Sequence, residues 1–146
     1  MEYRISDKVK YLNNMLCEID NLYQSMLLSK GLSDSEYIVM FSILELGEGC
    51  LQKDIADNSY FNKKTINSTI KKLEKNGLIK LQAGKYPNMH IYLTEDGKAY
   101  IKQKIIPIIE VENNVMNSAM DEEFINLSET YTKYINILKQ EVNKFH

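Results

Sequence analysis

Cysteine, histidine, arginine and long apolar runs are all scarce in this chain, and each scarcity removes a class of protein. Of the 146 residues, two are cysteine (Cys17, Cys50) and two are histidine (His90, His146). Two cysteines cannot staple a disulfide scaffold. Two histidines leave no basis for a histidine-rich zinc site or for a Ser-His-Asp or Cys-His catalytic set. No glycine-rich phosphate loop and no paired-cysteine motif is present. The acidic run Asp121-Glu122-Glu123 sits at an expected helix start, where acids complement the backbone dipole. We therefore expect no enzyme, no cofactor and no metal. The most apolar run, Tyr37 to Leu46, is interrupted by Ser42 and Glu45; it reaches about half the ~20 residues needed to span a bilayer. Met1 to Asp7 is charged and has no apolar leader core, which predicts a cytoplasmic protein with reduced thiols.

What is present is an ordinary globular composition, 44% hydrophobic and 26% charged, enough to bury a core. The formal charge is −2, but from Gln52 to Tyr86 eight lysines meet only three acids, a local net of +5. One basic segment inside an acidic chain suggests a localised anionic partner. A solvated lysine-rich helix face is the plainer reading of the same charges.

Periodicity organises the rest. Ile5, Val9, Leu12, Leu16, Ile19, Tyr23 and Met26 keep 4-3 spacing with no glycine or proline among them, the pattern of a helix lying along another helix. Ser33-Asp34-Ser35-Glu36 reads as a capping box that opens a second, deeply apolar helix ending at Gly47. A short helix spans about Leu51 to Asn58, with Ile55 and Ala56 inward. Asn62 then caps a further helix whose buried face is Ile66, Ile70 and Leu73. Two strands, Leu78 to Gln82 and Met89 to Leu93, flank a basic turn-rich tip. Thr94 caps a helix that runs to about Ser118, where Pro107 predicts a kink or break. Phe124, Leu127, Tyr131, Ile135, Leu138, Val142 and Phe145 form the stripe of a last helix.

Short helix, tight turn, capped helix and hairpin in that order predict a winged helix-turn-helix. With Ile66 at the centre of the buried face and about 100° per residue, Lys64, Ser68, Lys71 and Lys75 point away from the core, and Thr65, Asn67 and Lys72 lie on the flanks. Ammonium groups suit phosphates and guanine edges; amides and hydroxyls suit base edges. Lys53, Asn62, Lys63 and, at the hairpin tip, Lys85 complete the expected DNA-binding set.

The chain resembles the MarR family of bacterial transcription regulators. The resemblance rests on Gln52-Lys53-Asp54-Ile55-Ala56, Asn62-Lys63-Lys64-Thr65-Ile66-Asn67, Leu73-Glu74-Lys75-Asn76-Gly77-Leu78-Ile79 and Tyr92-Leu93-Thr94-Glu95-Asp96-Gly97. Their order and spacing are more specific than any piece alone, and the flanking helices extend the likeness over the whole chain. It implies a mostly helical α+β chain of residues 1–146. Within it, 33–93 would be the winged helix-turn-helix, and 1–30 and 95–146 the dimerisation helices. It also implies a homodimer on a pseudo-palindromic double-stranded operator, with activity tuned by a small molecule or an oxidant. Two positions depart from the pattern. Lys85 and Pro87 stand where family wings usually carry Asp-x-Arg, and Arg4 is the only arginine in the chain. Guanidinium readout is thereby absent from the DNA-binding segment. Leu51 also stands where a Ser or Thr cap is usual.

For sensing, Met15, Tyr23, Met26, Tyr37 and Met40 are candidates to line an adaptable apolar pocket; the plainer reading makes them core. Some family members sense peroxide through a first-helix cysteine held by tyrosines, which makes Cys17 a redox candidate. Glu18 and Asp20 beside it disfavour a thiolate, and a packed helix cysteine is the simpler expectation. Ile5, Val9, Leu12, Tyr131, Ile135, Leu138 and Val142 are the expected dimer contacts. The reading is a DNA-binding transcriptional regulator, most simply a repressor. A PadR-like winged-helix regulator, a thiol-based redox regulator and a winged-helix interaction module that never touches DNA remain alternatives.

Overall fold

A computed structural model describes residues 4–84, 89–118 and 121–145. The elements are α1 (Asp7–Ser29), α2 (Asp34–Leu46), α3 (Gln52–Asp57), α4 (Lys63–Lys75), β1 (Ile79–Ala83), β2 (Met89–Leu93), α5 (Glu95–Tyr100), a π-helical turn (Ile101–Ile105), α6 (Ile106–Ser118), α7 (Asp121–Val142) and a closing 3-10 turn (Asn143–Phe145). They group into two compact units, Met1–Ile108 and Ile109–His146. Among the described residues no helix is long and apolar enough to cross a membrane, and no group of three or more His, Cys, Asp or Glu could hold a metal ion.

Side-chain caps start the helices where the sequence predicts. Ser33 accepts from the Glu36 amide while the Glu36 carboxylate accepts from the Ser33 amide, a full capping box that satisfies two orphan donors at once. Asn62 accepts from the Thr65 amide at 2.9 Å, and Thr94 from the Gly97 amide at 3.0 Å. Ser6 caps α1, so Ile5 precedes the helix rather than opening it.

Helix α4 ends in a Schellman arrangement. Gly77, at φ +73°, donates to Glu74 O at 2.9 Å, and Leu78 donates to Leu73 O at 3.0 Å, which satisfies carbonyls the helix leaves unpaired. That use of the Leu78 amide moves the start of β1 to Ile79, one residue beyond the expected strand. β1 and β2 pair antiparallel with Ile79 opposite Leu93 and Leu81 opposite Ile91.

The core of the first unit draws on α2, α3, α4, both strands, the π turn and the start of α6. Val39, Met40 and Ile43 of α2, Ile55 of α3, Ile66, Ile70 and Leu73 of α4, Ile79, Ile91, Ile105 and Ile108 are all essentially inaccessible. Pro107 does not break the helix as expected. A proline lacks the N–H owed to residue 103 and crowds its carbonyl. Here the preceding residues widen into the π turn, and Ile106 N–H reaches back five residues to Ile101 O. The chain stays helical from Glu95 to Ser118.

The two terminal stripes are largely uncovered in a single chain. Only Leu27 of α1 is buried; Leu12 and Met26 are half-buried; Ile5, Val9, Leu16 and Ile19 are exposed. Helix α7, within the second unit, has no buried residue at all.

A candidate nucleic-acid interface

Leu51 supplies no side-chain cap to α3, as its place in the sequence predicts. Backbone pairing holds that corner instead. Gly49 N–H donates to Ile91 O at 2.7 Å, Ile91 N–H donates to Cys50 O at 3.0 Å, and Leu51 bridges to His90. The segment before α3 is thus tied to β2 by an isolated bridge and two backbone hydrogen bonds, which fix α3 to the hairpin.

Helix α4 is oriented by burial on one side and by two polar links to α2 on its flank. Ile66, Ile70 and Leu73 are fully buried. Thr69 Oγ1 donates to Ser35 Oγ at 2.9 Å. Lys72 Nζ lies 3.0 Å from Glu36 Oε1, whose side chain is only 10% exposed. Burial by itself raises the Glu36 carboxyl. Hydrogen bonds from Lys72 and Ser33, with the lysine's charge, outweigh that and hold it below the ordinary carboxylate value. Lys72, expected among the DNA contacts from the flank of the helix, is paired with an acid that the helical wheel does not reveal.

The pairing has a measurable consequence. A depressed carboxyl contributes stability that is present above the ordinary value near 4 and fades as pH falls through the lower folded value. Lys72→Ala should cost about 1 kcal/mol at pH 7, and clearly less at pH 3, in denaturant titrations. An equal loss at both pH values would mean that the ion pair contributes nothing.

On the outward face Lys64, Ser68, Lys71 and Lys75 are exposed, as the wheel predicts. None of these three lysines has an acid partner among the described residues, whereas Lys63 and Lys53 lie 3.7 and 4.0 Å from the Asp57 carboxylate. Several polar groups are already engaged. Ser68 Oγ donates to Thr65 O at 2.8 Å. Thr65 Oγ1 donates to the capping oxygen of Asn62 at 3.2 Å. Asn67 Oδ1 accepts from Gln52 Nε2 of α3. Leu51, Gln52, Lys53, Ala56, Lys63, Asn67 and Met89 together line a cleft of about 290 Å³. Lys85 lies outside the described residues. Sequence reasoning missed Gln52 and Glu36 because both contacts join elements whose mutual placement no local pattern carries.

The sensing candidates are not brought together on one open surface. Met40 has no accessible surface and Tyr37 is 8% exposed in the single chain. Met26 is half-buried, while Met15 and Tyr23 lie exposed on α1. Cys17 is exposed rather than packed. Cys50 is half-buried, and burial, then the nearby Asp54 charge, push its thiol up, against the thiolate that oxidant sensing requires.

No protein-family model matches the sequence, and no curated protein matches it either. The structure does have close counterparts. NMB1585, a MarR family regulator from Neisseria meningitidis, superposes with a TM-score of 0.82 at 20% identity, over 97% of this chain and 100% of that one. Sco3205, a MarR family transcriptional regulator from Streptomyces coelicolor solved in complex with DNA, gives 0.71 at 14% identity, over 92% and 90%. Bordetella bronchiseptica BpsR, whose DNA binding is regulated by 6-hydroxynicotinic acid, gives 0.66 at 15% identity, over 93% and 99%. The chain has the winged-helix fold of MarR-family regulators.

Proposed function

We propose that the chain is a MarR-type transcription regulator that binds a pseudo-palindromic double-stranded operator as a homodimer, with α4 in the major groove. One observation carries this reading. Helix α4 buries one face completely and presents on the other Lys64, Lys71 and Lys75 with no acid partner among the described residues. Unneutralised ammonium groups along a rigidly held helix match a phosphate-lined groove; a merely solvated face usually mixes both charge signs. The DNA-bound neighbour supports the docking. Two such helices related by a two-fold axis would meet half-sites centred about 10 base pairs apart. The proposed DNA set is Lys53, Asn62, Lys63, Lys64, Thr65, Asn67, Ser68, Lys71, Lys75 and, on the hairpin tip, Lys85, with Lys72 holding α4 to α2. The dimer would form through the stripes of α1 and α7. Occupying an operator blocks polymerase sterically, so repression is the simplest output. The neighbour regulated by 6-hydroxynicotinic acid supports release by a small molecule.

Selection of bound duplexes from random DNA, followed by affinity against salt, tests the proposal. Each phosphate neutralised adds about −0.9 to the slope of log K against log salt. Lys64→Ala, Lys71→Ala and Lys75→Ala should each flatten the slope by about 1 per contact made in each subunit, and Lys72→Ala by much less. Asn67→Ala should cost about 1–3 kcal/mol on the selected site and relax one position per half-site. Ile66→Ala should instead lower the melting temperature through lost buried volume. Unchanged slopes for all the outward lysines would show that this face does not meet DNA.

A further inference from the structure

The geometry points to Gln52 as the residue that sets the hydrogen-bonding polarity of Asn67, so that Asn67 reads base acceptors rather than pairing with adenine through both ends of its amide. The inference rests on the proposed docking of α4. Gln52 opens α3 and Asn67 lies on the second turn of α4, and Gln52 Nε2 donates to Asn67 Oδ1 across the two helices. Both ends of the contact are held. Ile55 and Ala56 bury α3, and Ile66 and Ile70 bury α4 on either side of Asn67. The Leu51-His90 bridge anchors the start of α3. The apolar side chains of Leu51, Ala56 and Met89 share the surrounding cleft with Lys53 and Lys63. The ammonium groups of Lys53 and Lys63 lie 4.0 and 3.7 Å from the Asp57 carboxylate.

A free asparagine grips adenine by accepting from N6 and donating to N7. In Asn67 the accepting oxygen is engaged by Gln52, and what faces outward is the NH₂ group, two donors. Acceptors on the major-groove edge are N7 and O6 of guanine, N7 of adenine and O4 of thymine; cytosine presents only its amino donor. The pair therefore selects against cytosine at the base it meets. Gln52 acts through Asn67 and is a positioning residue.

The experiment selects duplexes from random DNA with wild type, Asn67→Ala, Gln52→Ala, Gln52→Glu and the Gln52→Ala/Asn67→Ala double variant, with a thermal melt of each. Asn67→Ala defines the position that Asn67 reads, and wild type should exclude cytosine there by about tenfold or more. Gln52→Ala should lose most of that exclusion at the same position, and the double variant should lose no more than Asn67→Ala alone. Gln52→Glu is the sharper arm. An ionised carboxylate has no proton to donate, so Asn67 must turn its NH₂ inward and its oxygen outward. Preference at that position should then move toward the bases that present an amino donor, cytosine and adenine, while total affinity falls because a negative charge has entered the phosphate field. The readout is the base preference, which a general loss of affinity or folding does not invert. A preference unchanged by both Gln52 variants, or effects of the two residues that fall on different positions or simply add, would overturn the inference. If wild type selects a site but Asn67→Ala alters no position, the inference fails and the regulator reading stands. If wild type binds no DNA, both fall.

Discussion

Gly97→Ala should destabilise the fold by about 3 kcal/mol or more, even though it places the best helix former inside a helix. Gly97 lies in α5 with helical backbone and is buried, so propensity alone would favour alanine by about 1 kcal/mol. Space decides the sign. A Cβ built there meets the Leu78 carbonyl oxygen at 1.9 Å and the Leu78 carbonyl carbon at 3.0 Å. That obstacle is backbone, and it is pinned. The Thr94 hydroxyl donates to Gly77 O at 2.6 Å, and Thr94 N–H donates to Leu78 O at 3.1 Å. Neither α5 nor the turn after α4 can yield without breaking these bonds. The melting temperature should fall by roughly 10 °C. A neutral or stabilising result would mean that α5 does not approach Leu78 this closely. The same contact explains why a glycine belongs three residues after the capping threonine: the helix start rests directly on the Leu78 carbonyl in the turn that follows α4.

Leu138→Glu combined with Val142→Glu should convert a dimer into monomers near 17.0 kDa in light scattering at micromolar concentration, or unfold the chain. Leu138 is 47% and Val142 45% exposed in the single chain, so carboxylates there cost a monomer little. At the centre of an apolar seam they would be desolvated without partners, at several kcal/mol. Phe124, Leu127, Tyr131 and Ile135 continue the same stripe and are likewise uncovered. Contiguous apolar surface on this scale is uncommon on a stable monomer. On the proposed function, operator affinity should drop about 100-fold or more, because the dimer would hold a second copy of α4 at high effective concentration over the second half-site. A wild type that is monomeric and folded at micromolar concentration refutes the dimer, and so does a double variant that stays dimeric.

Much of the architecture was readable before any coordinates, for local reasons. Capping boxes, N-caps and glycine stops act within four residues, so Ser33, Asn62, Thr94 and Gly77 could be placed from their neighbours alone. The buried face of α4 followed from a period of 3.6. Other features needed the third dimension. A wheel shows that Lys72 leaves the core, but not that Glu36 of another helix waits 3.0 Å away. Asn67 was legible as a polar group on a flank of α4; its engagement by Gln52 depends on how α3 crosses α4. Pro107 announced trouble for its helix, yet whether the backbone breaks, bends or widens is decided by how well the flanking Ile101, Ile105 and Ile108 are held, and all three are buried.

The small sheet bears on which surfaces are left for self-association. β2 has β1 along one side and the backbone of residues 49–51 along the other, so its hydrogen-bonding groups are used on both edges. The outer side of β1 is an open rim of the sheet. That rim is five residues long and carries the exposed side chains of Lys80 and Gln82. Short, charged rims are poor templates for an incoming strand. Uncovered apolar surface on this scale brings a risk of runaway aggregation through strand addition, and the sheet closes that route. The helical stripes remain as the surfaces open to a second copy, and stripes that pair face to face close on themselves rather than grow.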